Sequence, residues 1–202
     1  MSESTADDHV TFAGPADTGE MAQLARDVLP FMGALHDDES WRRFRRFGQG
    51  KHASDQYTLV VRNGGPGGHL VGFVWVDPAM LIDHNITEPW WCINALAIAP
   101  DARGQGRAAA LLARVEAAAR AAGIVLLYGQ SVPEARPFWQ KMKFSLGNPD
   151  EAVRTRGAAM LTSGERVNGT FSPSSGDSWF LRYLTDVPGS VRSGLLPVSW
   201  TN

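Results

Sequence analysis

The spacing of apolar residues changes several times along the chain, and each change predicts an element. Residues 9–13 read as a short first strand. From 17 to 35, Met21, Leu24, Val28 and Leu29 recur at helical spacing until Pro30 interrupts. Asp38 to Phe47 reads as a second helix with Trp41 and Phe44 on one side. Tyr57 to Arg62 and His69 to Val76 are rich in β-branched and aromatic residues, and the loop Asn63-Gly64-Gly65-Pro66-Gly67-Gly68 between them favours a hairpin. Trp90 to Ala99 is the next strand, and Pro100 stops its ladder. In the helix from Ala108 to Ala122 the buried stripe is Leu111, Leu112, Val115, Ala119 and Ala122. Gly123 ends that helix. Ile124 to Tyr128 then lies parallel to the strand before the helix, because a helix of that length makes the crossover.

The later part is less regular. Lys143 to Leu146 and Ser178 to Leu184 read as late strands. Residues 148–176, rich in Gly, Ser, Pro and Asn, read as an insertion in which 150–163 is expected to contribute a helix. Residues 186–202 read as a loosely packed, irregular extension. No internal repeat is present. With 202 residues, the expectation is one domain over 1–202 with a substantial core.

Composition narrows the class. A hydrophobic content of 44% and a charged content of 20% are ordinary for a globular protein. A net charge of −2 gives no reason to expect nucleic acid or an anionic membrane as partner. The single cysteine, Cys92, excludes an internal disulfide framework and suits a reducing cytoplasm. No apolar run approaches the roughly 18–20 residues that span a bilayer. The first residues, Met1 to Asp8, are polar and acidic, unlike a signal peptide.

The densest chemical signal is Arg103-Gly104-Gln105-Gly106-Arg107-Ala108, which leaves a strand and opens a helix. Glycines let a backbone approach a ligand closely. The first N–H groups of a helix lack intrahelical partners and point outward at the positive end of the dipole. An anion can settle there, and two arginines add full charges. The P-loop pattern is absent, since no Lys-Ser or Lys-Thr follows the glycines. The dinucleotide fingerprint survives on spacing, with Ala109 in the third place, but no carboxylate lies where a ribose would need one.

The pattern that fits is Arg/Gln-x-x-Gly-x-Gly/Ala, matched by Arg103, Gly106 and Ala108. Downstream, Ala135-Arg136-Pro137-Phe138-Trp139-Gln140-Lys141-Met142-Lys143-Phe144 resembles Ala-x-x-Phe-Tyr-Glu-Lys-x-Gly-Phe, with Trp139 in the Tyr place and Lys143 in the Gly place. Together these motifs make residues 91–146 resemble the GNAT family of N-acetyltransferases. The resemblance implies an α/β fold: a mixed, mostly antiparallel sheet, a splayed central parallel strand pair, and helices on both faces. It implies acetyl-CoA as acyl donor and a primary amine as acceptor, transferred to cytoplasmic small molecules more readily than to proteins, given the aromatic residues near the acceptor side. A catalytically degenerate CoA-binding module and a transferase of another acyl group are the alternatives. A homodimer is compatible with the reading.

Acyl transfer to an amine needs a proton acceptor for the amine, hydrogen-bond donors for the carbonyl oxygen, and a proton for the leaving thiolate. The resemblance assigns the pantetheine arm to the backbone of Leu96, Ala97 and Ile98. It assigns the pyrophosphate to the N–H groups of Arg103, Gly104, Gln105, Gly106, Arg107, Ala108 and Ala109. The positions matching the family's base are Cys92 and Asn94, by alternation with Leu96. Neither is an ordinary base, so Glu88, just before the strand, and a water relay through Asn94 are further candidates. The family's proton-donating Tyr is replaced by Trp139, whose N–H donates hydrogen bonds without titrating near neutrality. Trp139 is kept as a cofactor contact, and Tyr128 and Ser131 are the substitute hydroxyls.

The run Trp41-Arg42-Arg43-Phe44-Arg45-Arg46-Phe47 is read as an amphipathic helix. The resemblance places Phe31, Trp41 and Phe44 near the acceptor pocket. Trp90 and Trp91 read as packing residues. His36, His52, His69 and His84 show no metal-ligand spacing, and no metal is expected.

Overall fold

The computed structural model describes residues 10–44, 57–78, 88–156, 159–160, 166–184 and 194–201. Its elements in chain order are β1 (Val10–Phe12), α1 (Thr18–Val28), α2 (Asp38–Phe44), β2 (Tyr57–Arg62), β3 (Leu70–Pro78), β4 (Trp90–Ile98), α3 (Arg107–Ala121), β5 (Leu126–Ser131), α4 (Arg136–Lys141), β6 (Ser145–Leu146), β7 (Val153–Arg156), β8 (Ala159–Met160), β9 (Arg166–Val167), β10 (Thr170–Phe171), β11 (Ser178–Tyr183) and β12 (Gly194–Pro197). A seven-stranded sheet runs β1-β2-β3-β4-β5-β11-β6. It is mixed and mostly antiparallel, with β4 and β5 as the parallel pair expected from the helical crossover between them. Two compact units divide the chain, one of 1–51, 55–76 and 94–118, the other of 52–54, 77–93 and 119–202, so β4 contributes to both.

In the first unit the apolar stripe of α1 does what its spacing predicts. Met21, Ala22, Leu24 and Ala25 pack with Trp41 of α2, Val60, Phe73, Ala95 and Ala97. Burying each Leu or Met contributes roughly 1.5–3 kcal/mol. Side chains alternate along β4, so Asn94, Leu96 and Ile98 take the face opposite Ala95 and Ala97 and are half-buried. Gly72 makes room there: a Cβ at that position would come within 2.5 Å of Ile98 Cδ1 and 2.9 Å of Val61 Cγ1.

Charge ties α1 to the β2–β3 hairpin. Arg62 pairs with Asp17, just ahead of α1, and with Glu20 at 3.0 Å, and it donates to the Gly68 carbonyl. Glu20 also accepts from the Leu70 N–H at 2.8 Å. Burial works against the Glu20 charge, but the Leu70 N–H and the Arg62 guanidinium outweigh it and hold its carboxyl below the usual carboxylate range.

In the second unit, Trp139 of α4 stacks on Phe180 of β11 at 3.7 Å, with Phe144 edge-on to both rings. Gly129 of β5 lies opposite Phe180, and a Cβ there would approach the ring to 2.4 Å.

Three expectations need correction. No helix forms between 150 and 156; that stretch is β7, antiparallel to β10, and Ala159–Met160 is β8, paired with β9. The segment lacks a helical stripe, and its Val153 and Thr155 point inward while Arg154 is exposed, the alternation of a strand. The extension is not wholly irregular: Gly194–Pro197 forms β12 and pairs along all of β7. Tyr183 of β11 closes this strand, its hydroxyl donating to the Leu195 carbonyl at 2.8 Å and accepting from the Leu195 N–H at 2.9 Å. The strand expected over Ile124–Tyr128 begins at Leu126 and runs on to Ser131. Arg45, Arg46, Phe47, His52, His84 and residues 186–193 lie outside the described residues.

Candidate cofactor and active site

Pro100 ends β4, and a single 3-10 turn over Pro100–Ala102 redirects the chain, with Ala102 N–H donating to Ala99 O at 2.9 Å. Arg103 is extended, and Gly104 and Gly106 then take left-handed φ values of 75° and 78°. Only glycine adopts these angles without strain. A Cβ at either position would meet no atom within 4 Å, so this backbone is open on its outer side. Helix α3 starts at Arg107, and its first backbone bond runs from Ala110 N–H to Gly106 O at 3.0 Å. The N–H groups of Arg107, Ala108 and Ala109 therefore have no acceptor within the helix. Arg103 folds back so that Nε donates to Ile98 O at 3.2 Å, and Gln105 Nε2 donates to Asp101 O at 3.1 Å. Arg107 Nη2 donates to Asn63 Oδ1 at 3.1 Å. Open backbone donors, a helix N-terminus and two cations give this turn the chemical character that suits an anion.

The strand leading into this turn outruns its parallel neighbour. β4 and β5 pair in parallel at Trp90–Leu126, Trp91–Leu127 and Cys92–Tyr128, and the ladder ends there although β4 continues to Ile98. Leu96, Ala97 and Ile98, the expected pantetheine positions, belong to the part beyond the ladder.

The expected catalytic residues have different settings. Cys92 is buried, and burial first, then the Asp77 carboxylate, pushes its thiol up, against a smaller opposing effect of the Tyr128 hydroxyl bonded to it. At neutral pH Cys92 is a thiol, with no thiolate available as a base. Tyr128 is buried, its ring tilted against Trp179 at 6.4 Å. Ser131 is buried, and its hydroxyl donates to Val132 O at 2.9 Å. Asn94 is half-buried, as is Glu88, whose carbonyl accepts from the Trp90 N–H at 2.7 Å.

Trp139 is buried inside its aromatic stack, so its indole is committed to packing. The acceptor-side expectation also divides. Trp41 is core: its ring meets Phe73 edge-on at 5.2 Å, and its Nε1 donates to Leu35 O at 2.8 Å. It lies on the Ala95/Ala97 face, opposite Asn94. Phe31 is 62% exposed, and the Phe44 side chain lies outside the described residues. Trp90 and Trp91 are buried, as packing residues are. Sequence reasoning missed two polar residues: Asn63, whose only signal is that it opens a glycine-rich hairpin loop, and Asp77, a carboxylate buried near the end of β3.

The class to which this fold belongs follows from likeness to known proteins. Residues 21–144, more than half of the chain, match the Acetyltransferase (GNAT) family. The chain belongs to the GNAT acetyltransferase family. Among solved structures it resembles the ribosomal-protein-S18-alanine N-acetyltransferase of Escherichia coli, with a TM-score of 0.57 at 10% identity over 90% of this chain and 97% of that one. It also resembles the ribosomal-protein-alanine N-acetyltransferase of Brucella melitensis, with a TM-score of 0.57 at 16% identity over 87% and 99% of the two chains. A phosphinothricin acetyltransferase of Sinorhizobium meliloti, solved in complex with AcCoA, gives a TM-score of 0.59 at 16% identity over 86% of each chain. At these identities the likeness is one of fold. No curated protein sequence matches the chain. Among the described residues, no helix is long and apolar enough to cross a membrane.

Proposed function

We propose that this protein is an acetyl-CoA-dependent N-acetyltransferase acting on a primary amine of a small molecule in the cytoplasm. The observation that carries the reading is the open turn at Gly104 and Gly106, which presents the unpartnered N–H groups at the head of α3 between two arginines. Arg103 to Ala109 would hold the pyrophosphate of the acyl donor, and the backbone of Leu96, Ala97 and Ile98 its pantetheine arm. The bound thioester supplies the acetyl group: the amine nitrogen forms a bond to its carbonyl carbon, the C–S bond breaks, and the amine gives up a proton. Asn94 would order a water that drains this proton, with Glu88 as the further candidate for a carboxylate acceptor. Tyr128 and Ser131 are the sequence candidates for the proton of the leaving sulfur, and each would have to give up the bond it makes to Cys92 or to Val132 O.

One observation favours a second reading, a CoA-binding module without turnover: the position that resembles the family's acidic Tyr is Trp139, locked in a stack. Calorimetric titration with acetyl-CoA, followed by CoA release measured across a panel of amines, separates the two. Micromolar binding with amine-dependent release is expected. Binding without release would leave the module, and no binding by folded protein would overturn both. Gly106→Glu puts bulk and negative charge at the pyrophosphate position and should abolish acetyl-CoA binding while circular dichroism stays native. Unchanged affinity would remove the turn as the cofactor site. Titration with longer acyl thioesters tests the chain length.

A further inference from the structure

The turn between β4 and α3 is touched by the β2–β3 hairpin. Asn63 is the first residue after β2, and its Oδ1 accepts from Arg107 Nη2 at 3.1 Å across 44 positions of sequence. The hairpin loop that carries Asn63 is firmly held. Its backbone closes through Asn63 N–H to His69 O at 2.9 Å and Gly68 N–H to Gly65 O at 3.0 Å. Arg62 donates to Gly68 O and is itself fixed by Asp17 and Glu20. A chain of polar contacts thus runs from the start of α1, through Arg62 and the hairpin, to the guanidinium of Arg107.

We infer that Asn63 is a positioning residue: it orients Arg107 toward the phosphates of the acyl donor. The inference rests on the reading of Arg103–Ala109 as the cofactor phosphate site. Two physical points support it. An unrestrained arginine loses rotamer freedom when it is fixed, and a guanidinium already held by one of its five donors loses less on binding. An amide oxygen is also neutral, so it fixes the cation without cancelling its charge, as an aspartate would. The remaining donors of the fork stay available for a phosphate oxygen.

The test is a double-mutant cycle on acetyl-CoA affinity with the full chain: wild type, Asn63→Ala, Arg107→Ala and the double variant, with Asn63→Asp alongside. The backbone bonds that close the hairpin do not involve the Asn63 side chain, so Asn63→Ala keeps the loop. Asn63→Ala should raise Kd about threefold to tenfold, the scale of one hydrogen bond. Arg107→Ala should raise it at least as much, and the double variant should be no weaker than Arg107→Ala alone. Asn63→Asp should weaken binding more than Asn63→Ala, because it retains an acceptor but neutralises the cation. If Asn63→Ala has its full effect in the Arg107→Ala background, it acts on the loop rather than on Arg107, and the inference is overturned. It is overturned equally if Arg107→Ala binds as wild type while Gly106→Glu does not bind, an outcome that leaves the cofactor site standing. Failure of the wild type itself to bind would bring down the cofactor reading and this inference with it.

Discussion

Lys143 carries a left-handed backbone, with φ at 61°, immediately beyond α4. The reason is the way that helix ends. Phe144 N–H reaches back to Trp139 O at 3.0 Å and Lys143 N–H to Gln140 O at 2.9 Å, the two bonds of a Schellman stop. The apolar contact that accompanies such a stop is present, as the Phe144 ring meets Trp139 edge-on at 5.1 Å. A side chain in that conformation costs roughly 1–2 kcal/mol. Lys143→Gly should therefore stabilise the protein by about 1 kcal/mol, a rise of roughly 2–4 °C in Tm for a chain of this size. Thermal unfolding followed by circular dichroism checks this, and an unchanged or lower Tm would show that the lysine relieves its own strain through its side chain. The sequence points at this position, since Lys143 stands where the family resemblance has glycine. It does not reveal what Trp139 does in this chain, because an aromatic motif position reads the same whether its ring faces a ligand or a stack.

Helices and strands with a full period are legible in the amino-acid pattern. The stripe of α1 and the pair β2 and β3 around a glycine-rich loop follow from periodicity and turn chemistry alone. Their mutual attachment does not, because Asp17, Glu20 and Arg62 are charged residues on three different segments and no spacing rule links them. That attachment has a pH signature. The Glu20 carboxyl titrates lower in the folded protein than its ordinary value of 4.5. Stability from its charge is therefore present above that value and is lost as pH falls through the folded value. Glu20→Gln should be less stable than wild type in urea at neutral pH, and the gap should close as the buffer is acidified through the lowered Glu20 titration. A gap that is constant with pH would mean that Glu20 acts through its shape and its hydrogen bonds, and its ionisation would have no role.

Across the whole chain, legibility falls from the N-terminal side to the C-terminal side. The central βαβ segment and its turn are readable because long elements average over many residues. The strands β6 to β10 span two to four residues each, too few to show a period. β12 escapes a sequence reading for a related reason: its sequence, Gly-Leu-Leu-Pro, is no strand by propensity. It is a strand because β7 supplies a ladder on one edge and Tyr183 satisfies the other. Tyr183→Phe leaves the N–H and C=O of the buried Leu195 without that partner. Such a loss costs about 1–3 kcal/mol. Urea unfolding should show the drop, and hydrogen exchange should show it concentrated at Leu195. An equal midpoint for the two proteins would mean that water takes the phenol's place at no cost.

The same hydroxyl bears on how this protein can change over generations. A Cβ at position 194 would lie 2.2 Å from the Tyr183 oxygen, so the phenol and the missing side chain exist only as a pair. A lineage that loses the hydroxyl first still meets the ring at 3.0 Å when it acquires a side chain at 194, a contact that a small ring shift relieves, whereas the reverse order passes through the harder clash with the oxygen. Once both steps are taken, the way back is shut until 194 becomes glycine again. Relatives should accordingly carry the phenol only together with the glycine, and an ancestral sequence reconstructed from them should hold both.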